Sequence, residues 1–186
     1  MQRSRVAASA PLSVAYVLQT LAELRDPDSI IVEEAPSSRA PMHDHLPILE
    51  SETFYTMCSG GLGYGLPAAV GVALAKPAKK VIGLVGDGSA MYSIQALWTA
   101  AQFALPITFV ILKNRRYAAL QEFAPTFGFG PRDELPGTEL PGIDFVALAR
   151  AQGCEALTVS QEQDLHRTLR AALESKKPTL VEVDVA

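Results

Sequence analysis

From Pro11 onward, apolar positions follow two rhythms. Val14, Val17, Leu18 and Leu21 fall at i, i+3, i+4 and i+7, the spacing of one helix face. Pro27 closes that element, and Ser29-Ile30-Ile31-Val32 reads as a short buried strand. Residues 33–51 carry prolines, serines and histidines without a period and read as a loop, followed by a short strand at 54–58. Ser59-Gly60-Gly61-Leu62-Gly63-Tyr64-Gly65 then opens a helix of small residues over 66–75, with Pro67 in its first turn and Pro77 past its end. An apolar run at 81–85, a helical pattern at 93–103 and a second apolar run at 107–112 form a strand–helix–strand unit. Beyond it the pattern predicts a short helix at 117–123, a Pro/Gly-rich loop at 125–142 and a helix at 143–151. A strand at 156–159, a helix at 161–174 and a strand at 179–183 complete the chain. Ser160 and Gln163 have the spacing of a capping box for the last helix.

Helix and strand alternate to the end, which predicts an α/β fold: a doubly wound parallel sheet of about five to six strands flanked by helices. One domain over 11–186 accounts for the alternation. Residues 1–10 hold arginines and alanines without an apolar core and are expected to form a disordered leader. At 186 residues, 48% hydrophobic and 19% charged, the chain has enough apolar material for a sizeable core. Its net charge of −4 argues against nucleic acid as a partner, which would call for a basic footprint. The longest apolar runs are strand-sized or broken by Gly and Pro, so no membrane span is expected. Two cysteines, Cys58 and Cys154, read as reduced thiols of a cytoplasmic protein, with Cys58 packed.

Two residues change this picture. Asp87 stands in Gly86-Asp87-Gly88-Ser89 directly after one apolar run, and Asn114 directly follows the next. If those runs are neighbouring parallel strands, both oxygen side chains emerge at the carboxyl edge of the sheet, where open α/β sheets bind ligands. A carboxylate and an amide carbonyl beside a glycine turn suit a hard divalent cation that holds a diphosphate.

The run Gly86-Asp87-Gly88-Ser89, with Asn114 one strand–helix–strand unit later, resembles the motif of thiamin-diphosphate enzymes. The stretches 60–69, 89–102 and 140–145 resemble the benzoylformate decarboxylase branch, and the likeness runs from Pro11 to the end. It implies a C-terminal diphosphate-binding domain with the thiamin-diphosphate-binding fold, an enzyme that turns an aromatic 2-oxo acid into an aldehyde and CO2, and the cofactors thiamin diphosphate and Mg²⁺. It implies metal binding by the side chains of Asp87 and Asn114 and by the backbone carbonyl of Arg116. It places Ser37, Gly60, Gly88 and Ser89 at the cofactor, with Gly88 and Ser89 donating to the diphosphate, and makes Leu62 an apolar wedge beneath it. Tyr92, Tyr117, Ala118, Ala119 and Leu120 would line the diphosphate and thiazolium side, and Phe123 would face the substrate. No catalytic residue is expected in this chain: the activating glutamate belongs to a pyrimidine-binding domain or subunit, a partner within a homo-oligomer. Where the family often has Asn-Asn-Gly, this chain has Lys113-Asn114-Arg115, so the loop geometry departs from the pattern if that glycine has a positive φ.

Other readings stay open at this point. An acetolactate-synthase-like carboligase would use the same scaffold, and a non-catalytic cofactor-binding module would share the binding residues. A nicotinamide-binding Rossmann domain fits worst, since Gly61, Gly63 and Gly65 have the wrong spacing. His43 and His45 read as residues of a solvated loop rather than a metal site, and His166 as exposed. Glu33 and Glu34 either reach the ligand edge or merely end a strand. Trp98 is expected in the core.

Overall fold

The computed structural model describes residues 5–186. Their elements are α1 (Val14–Leu24), β1 (Ile30–Glu34), α2 (Arg39–His45), β2 (Phe54–Thr56), α3 (Gly65–Ala75), β3 (Val81–Gly86), α4 (Asp87–Ala90) and α5 (Ala96–Gln102). β4 (Thr108–Lys113), α6 (Ala118–Phe123), α7 (Phe145–Ala151), β5 (Glu155–Val159), α8 (Glu162–Glu174) and β6 (Thr179–Asp184) follow. The strands make one six-stranded sheet in the order β2-β1-β3-β4-β6-β5, with every pairing parallel. The two apolar runs at 81–85 and 107–112 are neighbours, as the pattern predicts.

Helices cover both faces, which is why the central strands are apolar at nearly every position. On one face Leu66, Ala69, Leu97, Phe109 and Phe145 form a cluster that joins α3, α5 and α7 to the sheet. On the other, Leu18, Leu21, Leu84, Leu165 and Leu169 join α1 and α8 to it. Each fully buried Leu or Phe contributes about 1.5–3 kcal/mol relative to exposure. Gly83 in the centre of β3 serves this packing. A Cβ there would lie 2.9 Å from the Phe109 ring and 3.5 Å from Ala69 Cβ, so its absence lets α3 and Phe109 close on the strand.

Several expectations are corrected. Residues 33–51 are not one loop: β1 extends through Glu34, a 3-10 turn spans Pro36–Ser38, and α2 follows. Only Met42 and Leu46 of that stretch are buried apolar anchors at helical spacing, too few to give a visible period. The capping box fails because α8 starts at Glu162 with Gln161 at the N-cap and no side-chain cap bond; Glu162 and Asp164 complement the helix dipole instead. Trp98 is 55% exposed, since α5 turns Leu97 and Ala100 inward and Trp98 stands one residue, or about 100°, off that face. Cys58 is exposed as well, whereas Cys154 is buried and its thiol is pushed up to about 11 by that burial. His166 is exposed, as expected. Of the expected leader, residues 1–4 lie outside the described residues, and the Val6 N–H donates to Gln19 Oε1 at 2.8 Å.

The sheet's outer strands are short or polar. β2 has three residues. β5 exposes Glu155, Leu157 and Thr158, and Glu155 pairs with Lys177 at 3.0 Å.

Lys80 generates a pH test. Its ammonium donates to the carbonyls of Ala172 (3.3 Å) and Ser175 (3.4 Å). Burial, with nearby Lys176, nonetheless lowers its pKa to about 8. The unfolded chain keeps the ordinary lysine value of about 10.4, so above about pH 8 the unfolded state holds the extra proton. Stability is therefore expected to rise as pH climbs through this window, and Lys80→Met should remove that rise. Urea midpoints measured between about pH 7 and pH 10 check it.

Candidate functional site

β1 is followed in sequence by its neighbour on one side, β2, while β3 is followed by its neighbour on the other side, β4. At such a reversal the loops leaving the two strands diverge and open a crevice outside their carboxyl ends. The register pairs Glu34 with Val85 and Gly86 with Leu112. Ala35 to Ser37, Asp87 to Ser89 and Asn114 to Arg116 therefore emerge side by side along one edge.

Asp87 opens the four-residue helix α4 and is 3% exposed. Its Oδ1 accepts the Gly88 N–H at 2.9 Å and its Oδ2 accepts the Arg115 N–H at 2.6 Å. Burial pushes the carboxyl up, against the opposing pull of these N–H groups and of Lys113. One carboxylate thus ties the turn after β3 to the loop after β4.

That second loop is held in an unusual shape. Arg115 has φ of +59°, a left-handed conformation that costs a non-glycine residue about 1–2 kcal/mol. Its guanidinium reaches Asp184 Oδ1 at 2.6 Å. The Arg115 carbonyl accepts the Leu140 N–H, and the Tyr117 N–H donates to the Thr138 carbonyl, both at 2.7 Å, across an antiparallel bridge between Arg116 and Glu139. Alternate residues of such a ladder point opposite ways, so the Arg116 N–H and carbonyl turn away from segment 138–140. The Arg116 N–H donates to Asn114 Oδ1 at 3.2 Å. The arginine where the family often has glycine thus keeps a glycine-like φ.

Aromatic rings close the crevice. A Cβ on Gly88 would lie 2.5 Å from the Tyr117 ring, so only glycine lets that ring lie across the turn. Burial and the adjacent Tyr92 hydroxyl push the Tyr117 phenol up. Tyr92 in turn abuts Gly63, whose added Cβ would meet Tyr92 Cβ at 3.1 Å. These contacts bring together Gly63, Tyr92, Tyr117, Gly88 and Asp87. Ser89 and Ala118 are buried, Ala119 is half-buried, and Leu62 sits half-buried between Gly60 and Gly63, both at positive φ. Ser37 belongs to the 3-10 turn after β1, against which α6 packs. Leu120 and Phe123 lie on the outer side of α6, each 58% exposed, and Phe123 meets Phe127 edge-on with ring centres 5.5 Å apart.

Glu34 plays a part that its position in the sequence leaves open. Its carboxylate is fully buried and accepts the Gly63 N–H at 2.6 Å and the Gly65 N–H, fastening the glycine loop to the end of β1. A Cβ on Gly65 would lie 2.8 Å from Glu34 Cβ, so this glycine makes the approach possible. Glu33 has a separate structural task, bound by Arg39 (3.3 Å), Thr56 (2.6 Å) and the Ala35 N–H (2.5 Å). The only hint of either was two adjacent acids at the end of an apolar strand. His43 and His45 sit in α2, not in a loop, and residues two apart on a helix face opposite sides. Among the described residues no group of three metal-type side chains gathers there or elsewhere.

Residues 37–183 match the model of the family described as thiamine pyrophosphate enzyme, C-terminal TPP binding domain, and the chain belongs to that family. It is 42% identical over 173 residues to benzoylformate decarboxylase of Pseudomonas aeruginosa, a match that covers 93% of this chain and 32% of that protein. The acetolactate synthase large subunit of Parasynechococcus marenigrum is 32% identical, over 91% of this chain and 28% of the relative. The solved thiamine diphosphate-dependent 4-hydroxybenzoylformate decarboxylase of Rhodococcus jostii RHA1 superposes with a TM-score of 0.94 at 39% identity, over the whole of this chain and 35% of that one. The chain thus spans about a third of the length of these relatives.

The fit of Tyr117 over Gly88 gives a test of this geometry. Gly88→Ala should displace the ring and cost about 1–3 kcal/mol of stability, as overpacking does. Tyr117→Ala should then restore much of the loss in the Gly88→Ala background. Denaturant unfolding of the two single variants and the double variant measures the coupling.

Proposed function

We propose that this chain anchors thiamin diphosphate through Mg²⁺ in a non-oxidative decarboxylase of aromatic 2-oxo acids, of the benzoylformate decarboxylase kind. The observation that carries the reading is the buried Asp87 carboxylate, placed where the ends of β3 and β4 meet and bound to the N–H of the residue after Asn114. A carboxylate, an amide oxygen and the backbone carbonyl of Arg116 make an all-oxygen donor set suited to Mg²⁺. The residues present therefore fit the cofactor and its metal.

In this reading Asp87, Asn114 and the Arg116 carbonyl hold the metal. Gly88 and Ser89 donate to the diphosphate in the turn after β3, with Ser37 and Gly60 at its flank. Leu62 is an apolar support whose position is fixed by Glu34 through the loop's own N–H groups. Tyr92, Tyr117, Ala118, Ala119 and Leu120 flank the diphosphate and thiazolium side, and Phe123 meets the substrate. When bound, the cofactor supplies the nucleophilic carbon that attacks the ketone and the ring that takes up the electron pair as carbon dioxide leaves. The carboxylate that activates it comes from a pyrimidine-binding domain or subunit, the proposed partner. The exposed Tyr92, Leu120, Phe123 and Phe127 support such a partner, since a cluster of large apolar side chains in water marks an interaction face. A homo-oligomer in the cytoplasm, with two free thiols, completes the proposal. The carboligase reading is less favoured, because its relative has the lower identity over a similar share of the chain.

Thiamin diphosphate is expected to bind with Mg²⁺ and far less in chelator, and Asp87→Ala should weaken the Mg²⁺-dependent binding at least about tenfold. Calorimetric titration reads both, and equal heats in all arms would refute the site. The 186-residue chain alone should show no appreciable turnover of benzoylformate, and adding a matching pyrimidine-binding domain should restore it. An aldehyde assay coupled to a dehydrogenase decides this, with robust turnover by the chain alone as the contrary result.

A further inference from the structure

β6 lies beside β4 in parallel register, with Asp184 opposite Lys113, and the Val185 N–H donates to the Lys113 carbonyl at 3.0 Å. Glu182 and Asp184 are two residues apart, so their side chains project from the same face of the strand. Each meets a cation of the β4 end. Lys113 Nζ lies 3.0 Å from Glu182 Oε2 in a pair that is about nine-tenths buried, and the Arg115 guanidinium lies 2.6 Å from Asp184 Oδ1. Glu182 is shared, since it also accepts the Phe145 N–H at 3.1 Å and the Thr158 hydroxyl at 3.4 Å. The Asp184 carboxylate is directed at Arg115.

Arg115 stands between Asn114 and Arg116, and its own N–H holds Asp87 Oδ2. Its backbone is left-handed, at φ of +59°, in the same loop in which that N–H meets Asp87. We propose that Asp184 is a positioning residue for the metal loop: by holding the Arg115 guanidinium it keeps Arg115 in the left-handed conformation that orients the Asp87 carboxylate and spaces Asn114 from Arg116. The inference rests on the reading of Asp87 and Asn114 as metal ligands. Glycine adopts this φ freely but adopts others as readily, so an arginine clamped from β6 narrows the loop to one shape. The pair is half exposed on the arginine side, so its contribution to global stability is small and its effect is local.

The experiment uses the intact protein together with its pyrimidine-binding domain. Thiamin diphosphate binding is titrated at a series of Mg²⁺ concentrations for wild type, Asp184→Ala, Asp184→Asn, Arg115→Gly and the double variant Arg115→Gly/Asp184→Ala. The half-saturating Mg²⁺ concentration should rise about tenfold in each single variant, the scale of an outer partner of a metal ligand, and no further in the double variant. The melting temperature of the Asp184 variants without ligand should stay at the wild-type value, which separates positioning from a structural defect. Should Asp184→Ala fold poorly, Asp184→Asn keeps the volume and carries the test. Amide exchange of residues 114–117 should quicken in the ligand-free variants. Unchanged Mg²⁺ dependence in the Asp184 variants overturns the proposal. So does a loss confined to Arg115→Gly, which would make the guanidinium a direct ligand of the diphosphate. A wild type that binds thiamin diphosphate equally with and without Mg²⁺ overturns the metal site itself, and the clamp with it.

Discussion

The hydrogen bond from the Arg115 N–H to the buried Asp87 carboxylate is the constraint on which the site depends. It joins two turns that the chain reaches 28 residues apart. A buried carboxylate must be satisfied or neutralised, and here two backbone N–H groups satisfy it. Everything near it follows: Gly88 must lack a side chain because Tyr117 lies against it, and segment 138–140 must return to pin the loop from outside. The edge is thereby organised by the chain's own hydrogen bonds.

A second carboxylate does the same at the other side of the crevice. Among the described residues no cation pairs with Glu34. It is satisfied by backbone N–H groups of the Gly63–Gly65 loop, and the two glutamates of β1 take different tasks on opposite faces of the strand. The domain thus places its ligand edge with buried acids that bind backbone, and with helices that press small residues close to the sheet.

The sheet was legible because its central strands are buried on both faces and so read as unbroken apolar runs, as in 81–85 and 107–112. The placement of Asp87 and Asn114 at one edge was legible because residues directly after two neighbouring parallel strands leave on the same side. α2 was not, since Met42 is its only buried residue, with Leu46 just past its end, and Pro41 disguises the rest. Trp98 and Cys58 were misplaced because hydrophobicity alone does not say which face of an element meets the core. The Arg115–Asp184 pair joins residues 69 apart in sequence, and no local pattern announces a contact of that kind. Glu34 was weighed evenly because an acid at a strand end looks the same whether it faces water or two amides.

The edges of the sheet have a consequence for how copies of the molecule meet. A bare strand edge invites another chain to add to it through backbone pairing, the route to fibres. Here one margin is the three-residue β2, and the other is β5, with exposed polar positions and an ion pair at Glu155. Neither margin offers a long flat template. Open-ended stacking through the sheet edges, which would bury the crevice in aggregate, is thereby disfavoured.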